Sequence, residues 1–465
     1  MVTFYKPAKK DKAPKAVKVT CTDLDLQGRG VAKEGDKVYF VDGLMPTEVA
    51  NVQVSPDVDL KKQRIVNAKI TKIIKRAENR LESDCPVSGT CGGCSMQHVP
   101  SDMLINSKVE GIIRLFSKSI NQDIGRPSFV HSGNSTHYRR ACRFAVRGDH
   151  GKLYLGYRQE KSHALVRVES CVTLTDRINK FIVPVNRLLN TLSVKDKVGH
   201  VEFLDSDGAL AILFRITVAL PEADENKLRE FGKENDLVIS VIEPYKDKRE
   251  ISKVETTRER FVAGSMEDLY ITSAGVRINC KPSSFVQVNS EINEKMLSTV
   301  LDMIKPAPGL RVMDLFCGLG NFAMPIAKAG ACVVGVDIVF KMIEDARENA
   351  KNAGLSNASF EVADLEELFE NQTWAKAPYD AVVMDPGRSG AKRATLFLAK
   401  RAKNKSDNSN NKVKKIVLIS CNPLAASRDA VELVNSGYKI TSWGVCDMFP
   451  RTTHVEMVLE FSLMD

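Results

Sequence analysis

From Arg311 onward the sequence alternates in a rhythm that few folds accommodate: RVMDLF, NFAMPIAKAG, CVVGVDIV, KMIEDARENAKNAG, SFEVAD, YDAVVMD, KKIVLIS. Short β-rich runs trade places with segments of helical period. The pattern predicts a parallel sheet with helices on both faces, a Rossmann-like α/β domain. Such sheets bind ligands outside the carboxyl ends of their strands. Gly318, Gly320 and Ala323 follow the first strand and satisfy the loose dinucleotide fingerprint, so NAD is one candidate. The acids argue against it. Asp314 lies in the first strand, Asp337 ends the second, Asp364 follows the third and Asp385 ends the fourth. A pyrophosphate would be repelled there, whereas S-adenosylmethionine has no phosphate and carries sulfonium and ammonium groups. Any one of these aspartates can be a helix cap, but four consecutive strand ends are poorly explained that way.

The chain of 465 residues is long enough for two to four domains. It is 43% hydrophobic and 27% charged, with no apolar run of membrane-spanning length and no signal-peptide core at its start. These features predict a cytoplasmic protein without membrane attachment, and nothing demands more than a monomer. The net charge is +9, and the first 18 residues hold six lysines against one aspartate, which suits a polyanionic partner.

Behind that basic tail (1–15), residues 16–76 alternate in the strand manner and predict a five-stranded barrel of the OB type, a fold that grips single-stranded nucleic acid or serves as a structural module. Residues 77–104 are irregular and cysteine-rich. SDMLINSKVEGIIRLFSKSI reads as a helix, several short strands are expected between 137 and 280, and EINEKMLSTVLDMIKP is an amphipathic helix. The polar stretch KRAKNKSDNSNNKVKK reads as a loop.

Eleven cysteines in a reducing compartment suggest ligands, nucleophiles or buried thiols rather than disulfides. Cys85, Cys91 and Cys94 cluster among glycines in DCPVSGTCGGCSMQH. A fourth ligand from His98 would make a Cys₃His zinc site, and one from Cys171 a Cys₄ site; spacing leaves both open. Arg139, Arg140, Arg143, Arg147 and Arg158 interleave with Tyr138, Phe144, Tyr154 and Tyr157, a pattern that suits phosphates and unpaired bases and equally a solvated strand face. Cys421 ends a buried strand just before Asn422-Pro423. A thiolate there can add to C6 of a uracil so that C5 accepts a methyl group, and Glu456, a carboxylate in a largely apolar strand, can remove the C5 proton.

Taken together, FVQVN (285–289), DLFCGLGNF (314–322), DPGRSG (385–390), SCNP (420–423) and HVE (454–456) resemble the S-adenosylmethionine-dependent RNA uracil-C5 methyltransferases over nearly the whole chain. The barrel resembles that family's TRAM domain, and CPVSGTCGGC with Cys171 is similar to its [4Fe–4S] motif, as in the branch acting on 23S rRNA. The resemblance implies Cys421 as nucleophile and Glu456 as base. It places Gln287, Phe316, Asn321, Asp337, Asp364 and Asp385 at the cofactor, with Phe285 beside a flipped uridine. Arg139 and Arg140 are expected on the substrate side. Cys85, Cys91, Cys94 and Cys171 would hold the cluster, leaving His98 without a metal. The implied layout is an iron–sulfur β-rich domain (77–104 and 137–280) and a methyltransferase domain (105–136 and 281–465). Two positions depart from the usual pattern: Arg451, where histidine is common, and Gly387, often alanine or proline. Methylation of a different rRNA or tRNA uridine, or a non-catalytic RNA-binding assembly factor, are the alternatives.

Overall fold

A computed structural model describes residues 15–245, 256–404 and 412–464. The lysine-rich start and the centre of the polar stretch lie outside the described residues. The ends of that stretch are regular: its first residues finish the helix Lys392–Lys403, and Lys415 opens a strand. The chain divides into two compact units. The first holds residues 15–84 with Cys94–Ile112 and Arg451–Thr453, and the second holds the described residues of Cys85–Gly93, Ile113–Pro450 and His454–Asp465.

In the first unit the strands Lys15–Leu24, Gly30–Glu34, Lys37–Val41, Ile65–Lys75 and Val49–Val54 close, in that order, into the expected barrel. Alternation places Val19, Cys21, Tyr39, Val41, Ala50 and Val52 in its core. One buried charge ties the following residues to it. The Glu48 carboxylate accepts the N–H of Met45 (3.0 Å) and of Ala77 (3.3 Å) and the Arg80 guanidinium (2.8 Å), at zero exposure. The chain to Asp84 therefore keeps company with the barrel rather than with the β-rich domain.

The second unit contains two large sheets. A seven-stranded sheet has the order Thr256–Ala263, Leu237–Tyr245, Leu210–Ile216, Val198–Asp205, Ala141–Asp149, Lys152–Arg158, Leu165–Arg167. The helix Asp176–Thr191 packs on it through Ile178, Ile182, Val185 and Leu189. This helix and Glu222–Glu234 were not expected from sequence, where only strands stood out.

The eight-stranded sheet has the order Ala358–Val362, Cys332–Asp337, Arg311–Leu315, Ala381–Met384, Lys415–Ser420, Glu456–Leu463, Tyr438–Cys446, Phe129–His131. The first five strands are parallel. The strand Glu456–Leu463 enters antiparallel to both neighbours, which the alternation did not foretell. The order reverses beside Arg311–Leu315, and a crevice forms at such a switch point. Phe129–His131 adds the far edge, parallel to Tyr438–Cys446.

Replacing Glu48 by alanine leaves Arg80 and two N–H groups without their carboxylate. Loss of one partner of a buried ion pair costs about 3–5 kcal/mol. Hydrogen exchange of the amides in Val49–Val54 is expected to accelerate accordingly, while amides of Arg311–Leu315 keep their protection.

Candidate active site at the carboxyl edge of the sheet

The sheet register assembles the centre. Ser420 pairs with Met457, so the next residue, Cys421, lies across from Glu456, which in turn pairs with Cys446 on its other side. Cys421 occupies the turn between the strand Lys415–Ser420 and the helix Pro423–Val434. Asn422 caps that helix by accepting from Leu424 N–H (3.1 Å), and Pro423 at its first position needs no acceptor. The thiol is partly exposed. Burial pushes it up, with further upward pressure from Glu456 and Asp385, and Arg388 pulls it down. The resting group is thus a neutral thiol, and Arg388 is a cation that favours its ionised form.

Glu456 is 6% exposed, and burial, then Asp385, raise it well above the usual carboxylate range. Asp385 follows Ala381–Met384, its own N–H bonded to the Leu315 carbonyl at 3.3 Å, and burial lifts it to about 7. Asp314, fully buried, is likewise pushed up by burial and then by Asp385 and Asp337. Acids crowded together and buried at one edge are thereby pushed toward their protonated forms.

Around them stand the other expected residues. Gln287 donates from Nε2 to Asp385 Oδ2 (3.3 Å), tying the FVQVN loop to DPGRSG. Phe285 on the same loop is 70% exposed, an aromatic ring presented to solvent. Phe316 adopts φ +65°, and Gly318 (+54°) and Gly320 (+90°) continue the turn in conformations that favour glycine. Asp337 accepts the N–H groups of Gly318 (3.0 Å) and Val339 (2.9 Å), and Asp364 that of Glu366 (2.9 Å). The Asn321 amide exchanges hydrogen bonds with Asn293 (3.0 and 3.1 Å) and accepts from Ser273 (2.9 Å). A pocket of about 400 Å³ opens here, lined by Phe316, Leu365, Glu366, Ser389 and Arg428. Ser273, Asn293 and Leu365 had no sequence motif of their own, and Arg388 was hidden inside DPGRSG without a role.

One expectation needs correction. Arg140 is 7% exposed, and its guanidinium goes to the Asp205 carbonyl (2.9 Å) and the Asp207 carboxylate, so it has no reach to a substrate. Its N–H donates to the Val288 carbonyl (2.9 Å), and Arg139 bridges to Asn289; the pair braces the loop that carries Phe285 and Gln287. A Cβ at Gly387 would meet nothing within 4 Å, and Arg451 pairs with Asp84 at 2.6 Å inside the first unit.

All eleven cysteines are free thiols. Among the described residues no group of three or more His, Cys, Asp or Glu is placed to hold a metal ion. Burial, and then Cys171 and Cys85, push the Cys91 thiol up, and its sulfur accepts Gly93 N–H at 3.4 Å. Cys94 and His98 belong to the first unit. Burial and Arg80 depress the His98 imidazole to about 4.

Asp385 makes the centre pH-sensitive. Its folded value is raised from 3.8 to about 7, so the folded state binds more protons between these limits. The stability it contributes is full below the unfolded value and is lost as pH rises through about 7. Asp385→Asn is expected to flatten that decline in urea midpoint, with a larger gain over the parent protein above neutrality than in acid.

Comparison with known proteins agrees with this geometry. The family described as tRNA (Uracil-5-)-methyltransferase matches residues 104–462. A 23S rRNA (uracil(1939)-C(5))-methyltransferase from Tolumonas auensis is 34% identical over 99% of both chains, and one from Shewanella sediminis is 34% identical over 100% of both. The crystal structure of Pyrococcus abyssi tRNA (uracil-54, C5)-methyltransferase in complex with S-adenosyl-L-homocysteine has the same fold, with a TM-score of 0.68 at 22% identity over 96% of this chain and all of that one. With its matched region covering most of the chain and its cysteine and glutamate set across one sheet register, this protein belongs to the RNA uracil-C5 methyltransferase family.

Proposed function

We propose that the protein methylates C5 of a uridine in 23S rRNA, using S-adenosylmethionine, in the cytoplasm and as a monomer. The observation that carries the reading is the placement of a partly exposed Cys421 across from buried Glu456, beside the acidic pocket edge. The rRNA assignment is supported by the names of the two full-length bacterial relatives.

S-adenosylmethionine, when bound, supplies an electrophilic methyl group on a sulfonium. Gln287, Phe316, Asn321, Asp337, Asp364 and Asp385 border its site, and Phe285 stacks on the flipped base. Arg139 helps to hold the RNA beside it. The partly exposed Cys421 thiol gives up its proton to solvent and its sulfur adds to C6 of the uracil; C5 then gains the electron density to take the methyl group, whose sulfonium carrier would leave as a neutral thioether. The Glu456 carboxylate then takes the C5 proton, the C5–C6 double bond re-forms, and the Cys421 thiolate leaves.

The same electrostatics link cofactor and proton. Burial favours the protonated forms of Glu456 and Asp385, and an incoming positive charge favours their ionised forms. Titration calorimetry in buffers of different ionisation enthalpy is expected to register proton release on S-adenosylmethionine binding near neutral pH; identical heats in all buffers would count against it.

Cys421→Ala is expected to bind rRNA and leave it unmethylated, and full turnover by this variant sinks the proposal. Glu456→Gln is expected to accumulate a protein–RNA adduct visible on a denaturing gel. Binding without methylation by the unaltered protein would favour the assembly-factor alternative.

Cys85, Cys91, Cys94 and Cys171 would hold a [4Fe–4S] cluster that fixes their loop. Anaerobically purified protein is expected to be brown, with about four irons and four sulfides per chain, and Cys171→Ala to lose colour and iron together.

A further inference from the structure

Away from the reaction centre, the seven-stranded sheet leaves part of one face uncovered. Phe144, Leu153 and Leu155 point the other way, into the core with the helix Asp176–Thr191. On the open side stand Arg143, Ala145 and Arg147. The register sets Arg147 opposite Tyr154, Ala145 opposite both Gly156 and His200, Arg143 opposite Glu202, and His200 opposite Arg215. Arg158, two residues beyond Gly156, shares the face. Its Nη1 lies 3.0 Å from His163 Nδ1, and its carbonyl accepts Gly92 N–H (3.0 Å), which anchors this strand end to the cysteine loop.

The charges on this face do not balance. Arg167, opposite Gly156, is matched by Glu169 at 2.8 Å. Arg143 (Nε at 2.8 Å) and Arg215 converge on the same oxygen of Glu202; with Arg147, Arg158 and Lys152, which stands opposite Asp149, the cations of this face outnumber the carboxylates Glu202 and Asp149. The Arg143 side chain is still 56% exposed, and Arg147 and Arg158 are exposed as well. Arg143 and Arg147 are four residues apart on an extended strand, about 13 Å. No single small anion touches both, whereas a chain of phosphates does. Ala145 and Gly156 keep the surface between the two rows low, and Tyr154 offers a ring beside Arg147.

We propose that this face is a docking track for the phosphate backbone of the RNA flanking the target uridine, with Glu202 holding Arg143 and Arg215 in line. The inference rests on the RNA-methyltransferase reading above and adds the surface that grips the substrate.

The test uses the full-length protein carrying R143Q, R147Q and R158Q together, and a fluorescent 23S rRNA fragment titrated at several salt concentrations. Each single-strand phosphate deprived of its arginine lowers the log–log salt slope by about 0.7, so the expected slope is shallower by about 2 and the affinity at 0.1 M salt about 10–100-fold weaker. At saturating RNA, kcat is expected to stay near the parent value while KM rises, and lysine at the three positions is expected to restore most of the binding. Parent-like affinity and slope, or weaker binding at an unchanged slope, would overturn the proposal. If the triple variant misfolds by circular dichroism, R147Q alone decides, with an expected slope change of about 0.7 and no change overturning the proposal. Should the unaltered protein fail to methylate rRNA, the functional reading falls separately. Salt-sensitive binding of poly(U) that the three substitutions abolish would still identify the track.

Discussion

The chemistry of this protein depends on one strand register. Glu456 reaches the site because the strand Glu456–Leu463 slots antiparallel between Lys415–Ser420 and Tyr438–Cys446, which sets the carboxyl across from the turn that bears Cys421. A slip of one residue would turn the carboxyl to the opposite face of the sheet and bring Val455 or Met457 toward the thiol. The register is pinned by apolar side chains on both faces: Met457, Val458, Leu459 and Phe461 are all fully buried. Packing energy spread over the strand thereby fixes a distance that matters at one end of it.

Electrostatics supply the second constraint. Asp314, Asp385 and Glu456 are drawn together where the sheet order reverses, and each is held above the usual carboxylate range mainly by burial. Crowded acids of this kind carry unfavourable self-energy whenever they ionise, and a ligand bearing positive charge relieves it. Burial above all, then Glu456 and Asp385, push the Cys421 thiol up, and Arg388 opposes them.

Much of this was legible in the sequence because it depended on local pattern. The period switch after Arg311 announced the parallel strands, the alternation before residue 76 announced the barrel, and the helix Ser101–Ile120 matched its apolar stripe. The residues of the centre stood at strand ends, inside short motifs that are recognisable one at a time. What escaped was non-local. Nothing in EMVLEFSL says that the last strand inserts between two earlier ones, and the helices Asp176–Thr191 and Glu222–Glu234 were obscured by a prolyl residue in one and a heavily charged surface in the other. Arg140 was misread for the same reason. Its partner Asp207 lies 67 residues away, and adjacency to other arginines said nothing about which of them would be walled in.

The inserted strand also bears on how the protein is made. Until it arrives, the sheet exists as a five-stranded parallel part and a separate edge, because the strand that joins them comes later in the chain than both. Cys421 and Glu456 thus come together only once that strand has inserted. A sheet still lacking that strand holds Cys421 without the carboxyl that the finished register sets across from it.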